Sequence, residues 1–299
     1  QTIARVRSPI YNQEISFIKQ ELGISMVINP EQAAAHEIAR LLRFPSAIKI
    51  DTFAKGKVEL LKFNIEAGSR LDGLKIYEIS TSLHCDVLVC VIERDDEVII
   101  PNGSVTLQGN DKISIIAAPK KAADFFKKVG IVTNQVKNTM IVGGSTIAHY
   151  LANELLSMGI KVKIIERDRN KCEVISDALQ NAIIINGDAT DKHLLLEEGV
   201  ENVESFVALT NIDEENIMLS LYAGSKSQAK LITKVTRVTY REIINTLDIG
   251  SIINPKLITA DQILQYVRAM ENASGSNVET LYKLVDNKAE ALEFVVRKD

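Results

Sequence analysis

The stretch Thr139-Met140-Ile141-Val142-Gly143-Gly144-Ser145-Thr146-Ile147-Ala148 decides the fold. Its first four residues form a short apolar run, the pattern of a strand covered on both faces. The glycine-rich turn Gly143-Gly144-Ser145 follows. Ile147, Tyr150, Leu151 and Leu155 then recur at helical spacing up to Gly159, which reads as a helix C-cap. Downstream the alternation continues. Strands are expected at 161–165, 182–186, 206–209 and 231–235, with helices at 169–179 and 213–223. Strands and helices alternating at this pace predict βαβ units and a Rossmann-type, doubly wound parallel sheet.

The glycine turn is a variant of the dinucleotide fingerprint. Gly143 supplies the tight turn, Ser145 stands at the second glycine position and Ala148 at the third. A helix N-terminus offers free N–H groups and partial positive charge to a phosphate. Ser145 and Thr146 add hydroxyl donors. Glu166 ends the second strand and is placed to accept from ribose hydroxyls, which favours NAD(H) or an adenosine nucleotide over NADP. Arg167 beside it suits stacking on adenine or reaching a phosphate. Asp188 and Thr210-Asn211 follow the third and fourth strands, so their loops line the crevice at the carboxyl ends. The competing reading is a turn that only joins strand to helix. Ser145 favours it, because its Cβ crowds the closest phosphate approach.

Residues 46–119 have another character. Short strands are expected at 47–50, 58–65, 87–92, 98–101 and 112–117, with one short helix at 74–80. Arg94-Asp95-Asp96-Glu97 reads as a polar hairpin turn. This is a small α+β domain, and 120–136 would be a helix and linker leading to the Rossmann unit.

An internal repeat ties these pieces together. Ile3-Ala4-Arg5-Val6 matches Ile232-Thr233-Lys234-Val235, and each is followed by a tyrosine, Tyr11 and Tyr240. Ile28-Asn29-Pro30 matches Ile253-Asn254-Pro255, and Val58-Glu59-Leu60-Leu61-Lys62-Phe63 resembles Ala289-Glu290-Ala291-Leu292-Glu293-Phe294. Between tyrosine and asparagine the first copy is longer, so it carries extra residues in its helix or turn. The chain therefore reads as the tail of one Rossmann unit, a small domain, a full Rossmann unit and the start of a second small domain. It begins at Gln1 inside an apparent strand, as a piece of something larger would.

Composition narrows the function. Of 299 residues, 46% are hydrophobic and 25% charged, ordinary globular values. The net charge of −4 lacks the basic field that drives binding to nucleic acid or anionic lipid, and the absence of Trp argues against a base-stacking platform. No apolar run is long enough for a membrane helix, and no signal peptide is visible. Cys85, Cys90 and Cys172 have no disulfide-framework spacing, which fits a reducing cytoplasm.

Met140 to Ala148, Ile164-Ile165-Glu166-Arg167-Asp168, Asn186-Gly187-Asp188-Ala189-Thr190 and the phrase from Ala208 to Asn216 together resemble an RCK N-terminal (TrkA-N) domain. Residues 46–119 resemble an RCK C-terminal (TrkA-C) domain. Two N–C pairs in tandem resemble the TrkA family, the cytosolic subunits of Trk potassium uptake systems. The resemblance divides the chain into 1–43 (end of a first RCK-N domain), 44–130 (first RCK-C), 131–271 (second RCK-N) and 272–299 (start of a second RCK-C). It implies a regulatory subunit that binds NAD(H) or ATP/ADP, forms a homo-oligomeric gating ring and controls a TrkH-like, potassium-translocating membrane subunit. Such a protein sits in the cytoplasm on the inner face of the cell membrane. Carried over by position, Gly143, Gly144, Ser145, Thr146, Ile147, Glu166, Arg167, Asp188, Ala189, Thr210 and Asn211 surround the nucleotide. Some relatives also use the acid of an N/H-P-E phrase; Glu31 matches it in the first copy, and Lys256 replaces it in the second.

Catalysis is not expected. A dehydrogenase needs a proton-transfer group facing the nicotinamide. His36, His84, His149 and His193 read as surface or packing residues without an acidic orienter, and His84 with Cys85 and Cys90 lacks metal-ligand spacing. Three alternatives stay open at this point. They are the regulatory region of a potassium channel or potassium/proton antiporter, an NAD-dependent oxidoreductase, and a Rossmann scaffold used only for assembly.

Overall fold

The computed structural model describes residues 2–6, 23–53, 57–95, 97–131, 134–237, 244, 246–272, 278–284 and 289–294. Strands β1 (Ile3–Arg5) and β2 (Met26–Ile28) come first, then helix α1 (Pro30–Arg43). Next are β3 (Lys49–Phe53), β4 (Val58–Asn64), α2 (Ile76–Thr81), β5 (Leu88–Arg94), β6 (Glu97–Ile99), β7 (Lys112–Ala117) and α3 (Pro119–Val129). The third stretch holds β8 (Asn138–Val142), α4 (Thr146–Ser157), β9 (Lys161–Glu166), α5 (Arg169–Ala178), β10 (Ile183–Asn186) and α6 (Lys192–Glu197). It continues through β11 (Ser205–Ala208), α7 (Asp213–Lys226), β12 (Lys230–Lys234), β13 (Ser251–Ile253) and α8 (Pro255–Asn272), before the hairpin β14 (Val278–Leu284) and β15 (Ala289–Phe294). Two compact units result: Gln1–Leu42 with Gln135–Gln262, and Arg43–Asn134 with Ile263–Asp299.

The first unit is built on a parallel sheet in the order β10-β9-β8-β11-β12-β13. Counted from β8, this is the 3-2-1-4-5-6 order of a dinucleotide-binding Rossmann sheet. The strands are apolar because helices cover them. Met140, Val142, Phe206 and Ala208 pack with Leu195 of α6 and Leu219 and Ala223 of α7 in one buried cluster. Gly159 adopts φ +78° just beyond α4, and the N–H of Ile160 returns to the Leu155 carbonyl at 3.0 Å, so the expected cap is in place.

The same unit holds the tail of the first repeat. β1 pairs in parallel with β2, Arg5 opposite Ile28, as β12 pairs with β13, Lys234 opposite Ile253. Helix α1 lies against α4: the Asn29 amide donates to the Tyr150 hydroxyl at 2.9 Å, and His36 Nδ1 meets Glu154 Oε1 at 2.9 Å. Tyr11 and Tyr240, the other marks of the repeat, lie outside the described residues.

The second unit contains an antiparallel sheet, β3-β4-β7-β5-β6. Phe125 and Phe126 of α3 pack on Phe63 of β4, ring centroids 6.2 and 5.0 Å away. The hairpin turn is where the charges predicted it. Arg94 pairs with Glu97, and Asp95 takes φ +50°, the left-handed conformation a tight hairpin requires; Asp96 lies outside the described residues. β15 repeats β4 as an antiparallel strand, and Ala289 and Ala291 pack on Phe53, Leu60 and Val91.

Some elements differ from expectation. The strand expected at 47–50 is displaced to Lys49–Phe53, because Ala47 closes a turn by donating to the Phe44 carbonyl at 2.9 Å. α6, β13 and α8 were not foreseen. α6 has six residues and β13 three, too few for a period to register.

Candidate functional site

Sequence and topology meet at the carboxyl ends of β8 and β11. The chain leaves β8 for β9 on one side and returns from β10 to β11 on the other, so the two ends flank the switch point of the sheet. A crevice opens there, lined by Gly143, Gly144, Ser145, Glu166, Arg167, Lys171, Asp188, Ala189, Thr210, Asn211, Ile212 and Glu215, with Val142, Ile165 and Leu209 behind.

Gly143 has φ +97°, and a Cβ there would stand 2.9 Å from the Thr210 nitrogen and 3.0 Å from the Leu209 carbonyl. Only glycine fits without strain, and the strand end thereby comes close to the loop after β11. A Cβ on Gly144 would run into the Ile175 side chain. Ser145 is the N-cap of α4 with extended backbone, its hydroxyl accepting from the Ala148 N–H at 3.3 Å. The hydroxyl proton stays available to an anion. So this position needs no glycine dihedral, and Ser145 reinforces the helix terminus that faces the crevice.

Glu166 is buried, 8% exposed. Its carboxylate accepts from the Gly144 N–H at 2.7 Å and from the Asp168 N–H at 2.9 Å. It therefore clamps the glycine loop to the end of β9 and keeps lone pairs able to accept further hydrogen bonds. Asp188 accepts from the Thr190 N–H at 2.9 Å and hydroxyl at 2.8 Å. These bonds, backbone first, hold its carboxyl below the usual carboxylate range, with Arg167 adding to the effect.

Sequence reasoning missed what supports Thr210. Asn216 is fully buried. Its side chain accepts from the Thr210 N–H at 2.8 Å and donates to the carbonyls of Thr210 at 3.2 Å and Lys234 at 3.0 Å. A polar residue on the apolar stripe that continues through Leu219 and Ala223 was the available signal. Asn216→Ala leaves one buried and two half-buried backbone groups without their partner and is expected to cost about 1–3 kcal/mol and to weaken any ligand touching Thr210. Denaturant unfolding checks the first; a loss below about 0.5 kcal/mol would contradict this role. Lys171, Ile212 and Glu215 were also missed as lining residues.

Thr146 and Ile147, expected around the nucleotide, are not among the lining residues. Thr146 is exposed on the first turn of α4, and Ile147, 6% exposed, belongs to the core. One further expectation is corrected: His36 does have an acidic partner, Glu154, which lies 118 positions away in sequence and so escaped local reading. That pair lies outside the crevice residues, and no histidine is among them. Among the described residues no helix is long and apolar enough to cross a membrane.

The TrkA-N domain model matches residues 139–255, and the TrkA-C domain model matches 60–130. The Trk system potassium uptake protein trkA homolog 1 of Methanosarcina mazei is 30% identical over 98% of this chain and 70% of its own length. TrkA of Vibrio alginolyticus is 31% identical over 99% of this chain and 64% of its own. TrkA homolog 2 of M. mazei is likewise spanned for 64% of its length, so the chain covers about two thirds of these relatives. Among solved structures, the GsuK RCK domain aligns with TM-score 0.63 at 14% identity over 94% of this chain and 59% of that one. The GsuK channel bound to NAD aligns with TM-score 0.62 at 14% identity over 94% of this chain and 49% of that one. At that identity the likeness concerns the fold. The sequence relatives and both domain models agree in kind and in order along the chain, and the chain belongs to the TrkA family of Trk system potassium uptake proteins.

Proposed function

We propose that this chain is the nucleotide-sensing, regulatory part of a potassium uptake system and not an enzyme. The observation that carries the reading is the convergence of the Gly143–Ser145 loop, Glu166, Asp188 and Thr210 on one crevice at the switch point of a 3-2-1-4-5-6 sheet. The glycine loop and the α4 terminus suit a diphosphate. Glu166 suits the ribose, and Arg167 and Asp188 flank the adenine side. The ligand is then NAD(H) or ATP/ADP. That a channel of this fold, GsuK, was captured with NAD supports the first. The tandem order supports an N–C–N–C layout with boundaries near 43, 130 and 271.

A ligand acts by differential affinity for two arrangements of the regulator. We place the protein as a homo-oligomeric ring at the inner face of the membrane, acting on a TrkH-like pore subunit. The crevice holds no histidine, and binding energy is free to shift a population, typically by about 1–3 kcal/mol of coupling. The test uses the full-length protein with its membrane partner. Potassium uptake is expected to respond to an adenine nucleotide and to lose that response in Gly143→Val. An unchanged response, with binding to the variant measured as lost, would sink the reading.

A further inference from the structure

Two asparagines, one on each side of the crevice, direct their side-chain amides at pairs of backbone carbonyls. On the β11 side the Asn216 amide donates to the carbonyls of Thr210 at 3.2 Å and Lys234 at 3.0 Å. On the β9 side the Asn186 amide donates to the carbonyls of Glu166 at 3.1 Å and Arg167 at 3.1 Å. Asn186 ends β10 and stands opposite Glu166 in the parallel register. It is exposed. With Cys172 and Ile184 it lines a hollow at the outer edge of the sheet, and it is not one of the residues lining the crevice.

These bonds fall where the sheet stops holding β9. Just beyond β10 the Gly187 N–H still donates to the Glu166 carbonyl at 3.0 Å. The Arg167 carbonyl, one residue on, accepts from the Asn186 side chain. The Cys172 thiol reaches the Glu166 carbonyl from α5 at 3.2 Å. The backbone from Glu166 to Arg167 is thus pinned from β10 and α5, while the Glu166 carboxylate is pinned by the N–H groups of Gly144 and Asp168. Together these bonds fix the direction in which the free lone pairs of Glu166 can accept. An unpinned strand end would have to be ordered by the ligand, and that ordering subtracts from affinity.

We propose that Asn186 is a positioning residue for ribose recognition: without touching the ligand, it holds the end of β9 so that the Glu166 carboxylate meets the ribose hydroxyls of a bound adenosine diphosphate. The proposal rests on the nucleotide reading above. It gives the first residue of Asn186-Gly187-Asp188 a duty separate from that of Asp188, which lines the crevice itself. The amide is the part that matters, because only a donor can face two carbonyl oxygens without repulsion.

The test is calorimetric titration of the chain with ADP, 2′-deoxy-ADP and NAD, for the wild type, Asn186→Ala and Asn186→Asp. The wild type is expected to bind ADP about tenfold tighter than 2′-deoxy-ADP, the effect of one hydrogen bond to a charged acceptor. In both variants that preference falls to about twofold, through weaker binding of ADP. Asn186→Asp keeps the size of the side chain and removes the donor, so the same fall in both variants assigns the effect to the amide. A merely structural role would weaken both ligands alike, because 2′-deoxy-ADP lacks the hydroxyl that Glu166 would hold. An equal loss for both ligands, or a preference that persists in either variant, overturns the proposal. Equal wild-type affinities for ADP and 2′-deoxy-ADP overturn it too, while leaving nucleotide binding intact. Failure to bind ADP overturns the proposal; failure to bind both ADP and NAD overturns the reading beneath it as well.

Discussion

Replacing Gly143 with Val is expected to cost about 3 kcal/mol of stability and to abolish nucleotide-induced stabilisation. Two physical terms add. The backbone at Gly143 has φ +97°, where a β-branched side chain is strained. A Cβ would also sit 2.9 Å from the Thr210 nitrogen and 3.0 Å from the Leu209 carbonyl. Those atoms are backbone and cannot swing away, so the β8 and β11 ends must part. The parting loosens the Thr210–Asn216 bonds and displaces the loop at the α4 N-terminus. Thermal unfolding with and without ligand separates the two effects. A variant that keeps wild-type ligand stabilisation would remove the glycine loop from the site.

Asp111→Ala is expected to destabilise the second unit by about 3–5 kcal/mol, the cost of breaking a buried pair from one side. Asp111 is 1% exposed and bonds Arg94 through both oxygens, to Nε and Nη2, each at 2.7 Å. It also accepts from the Gln108 N–H at 2.8 Å, while Arg94 Nη2 reaches the Thr106 carbonyl at 2.9 Å. The pair therefore joins β5 to the loop before β7, and the hydrogen bond to Asp111 is the main cause that raises the Arg94 pKa. Alanine leaves a guanidinium of 22% side-chain exposure without its acid. A double replacement of Arg94 and Asp111 is expected to cost clearly less than the sum of the single changes. Denaturant unfolding measures all three; a single-variant loss below about 1 kcal/mol would show that the pair is not structural.

The sheet of the first unit was legible because its strands are apolar runs broken by glycine and followed by helical periods. Gly143 and Gly159 did what their positions implied. The repeat was legible because β1 and β12, β2 and β13, and the starts of α1 and α8 carry matching short phrases, and these reappear as paired registers. What stayed hidden lies in contacts across the sequence. Asn216 is recognisable only once Thr210 and Lys234 stand beside it, and the His36–Glu154 pair needs α1 laid on α4. Glu166 was read as a ribose acceptor, yet its bonds to Gly144 and Asp168 give it a second duty that no local pattern encodes. Ile147 was assigned by position in a motif, while its apolar side chain belongs to the core.

The crevice at Gly143–Thr210 is expected to bind an adenine nucleotide. The check is thermal stability of the purified chain with NADH, NAD, ADP and ATP, for the wild type and Glu166→Ala. Binding to the native state alone raises stability by about 2.7 kcal/mol at a hundred times Kd. A clear upward shift is expected with at least one of these ligands in the wild type and none in Glu166→Ala, whose own baseline is lower. No shift in the wild type, or an equal shift in the variant, would contradict it.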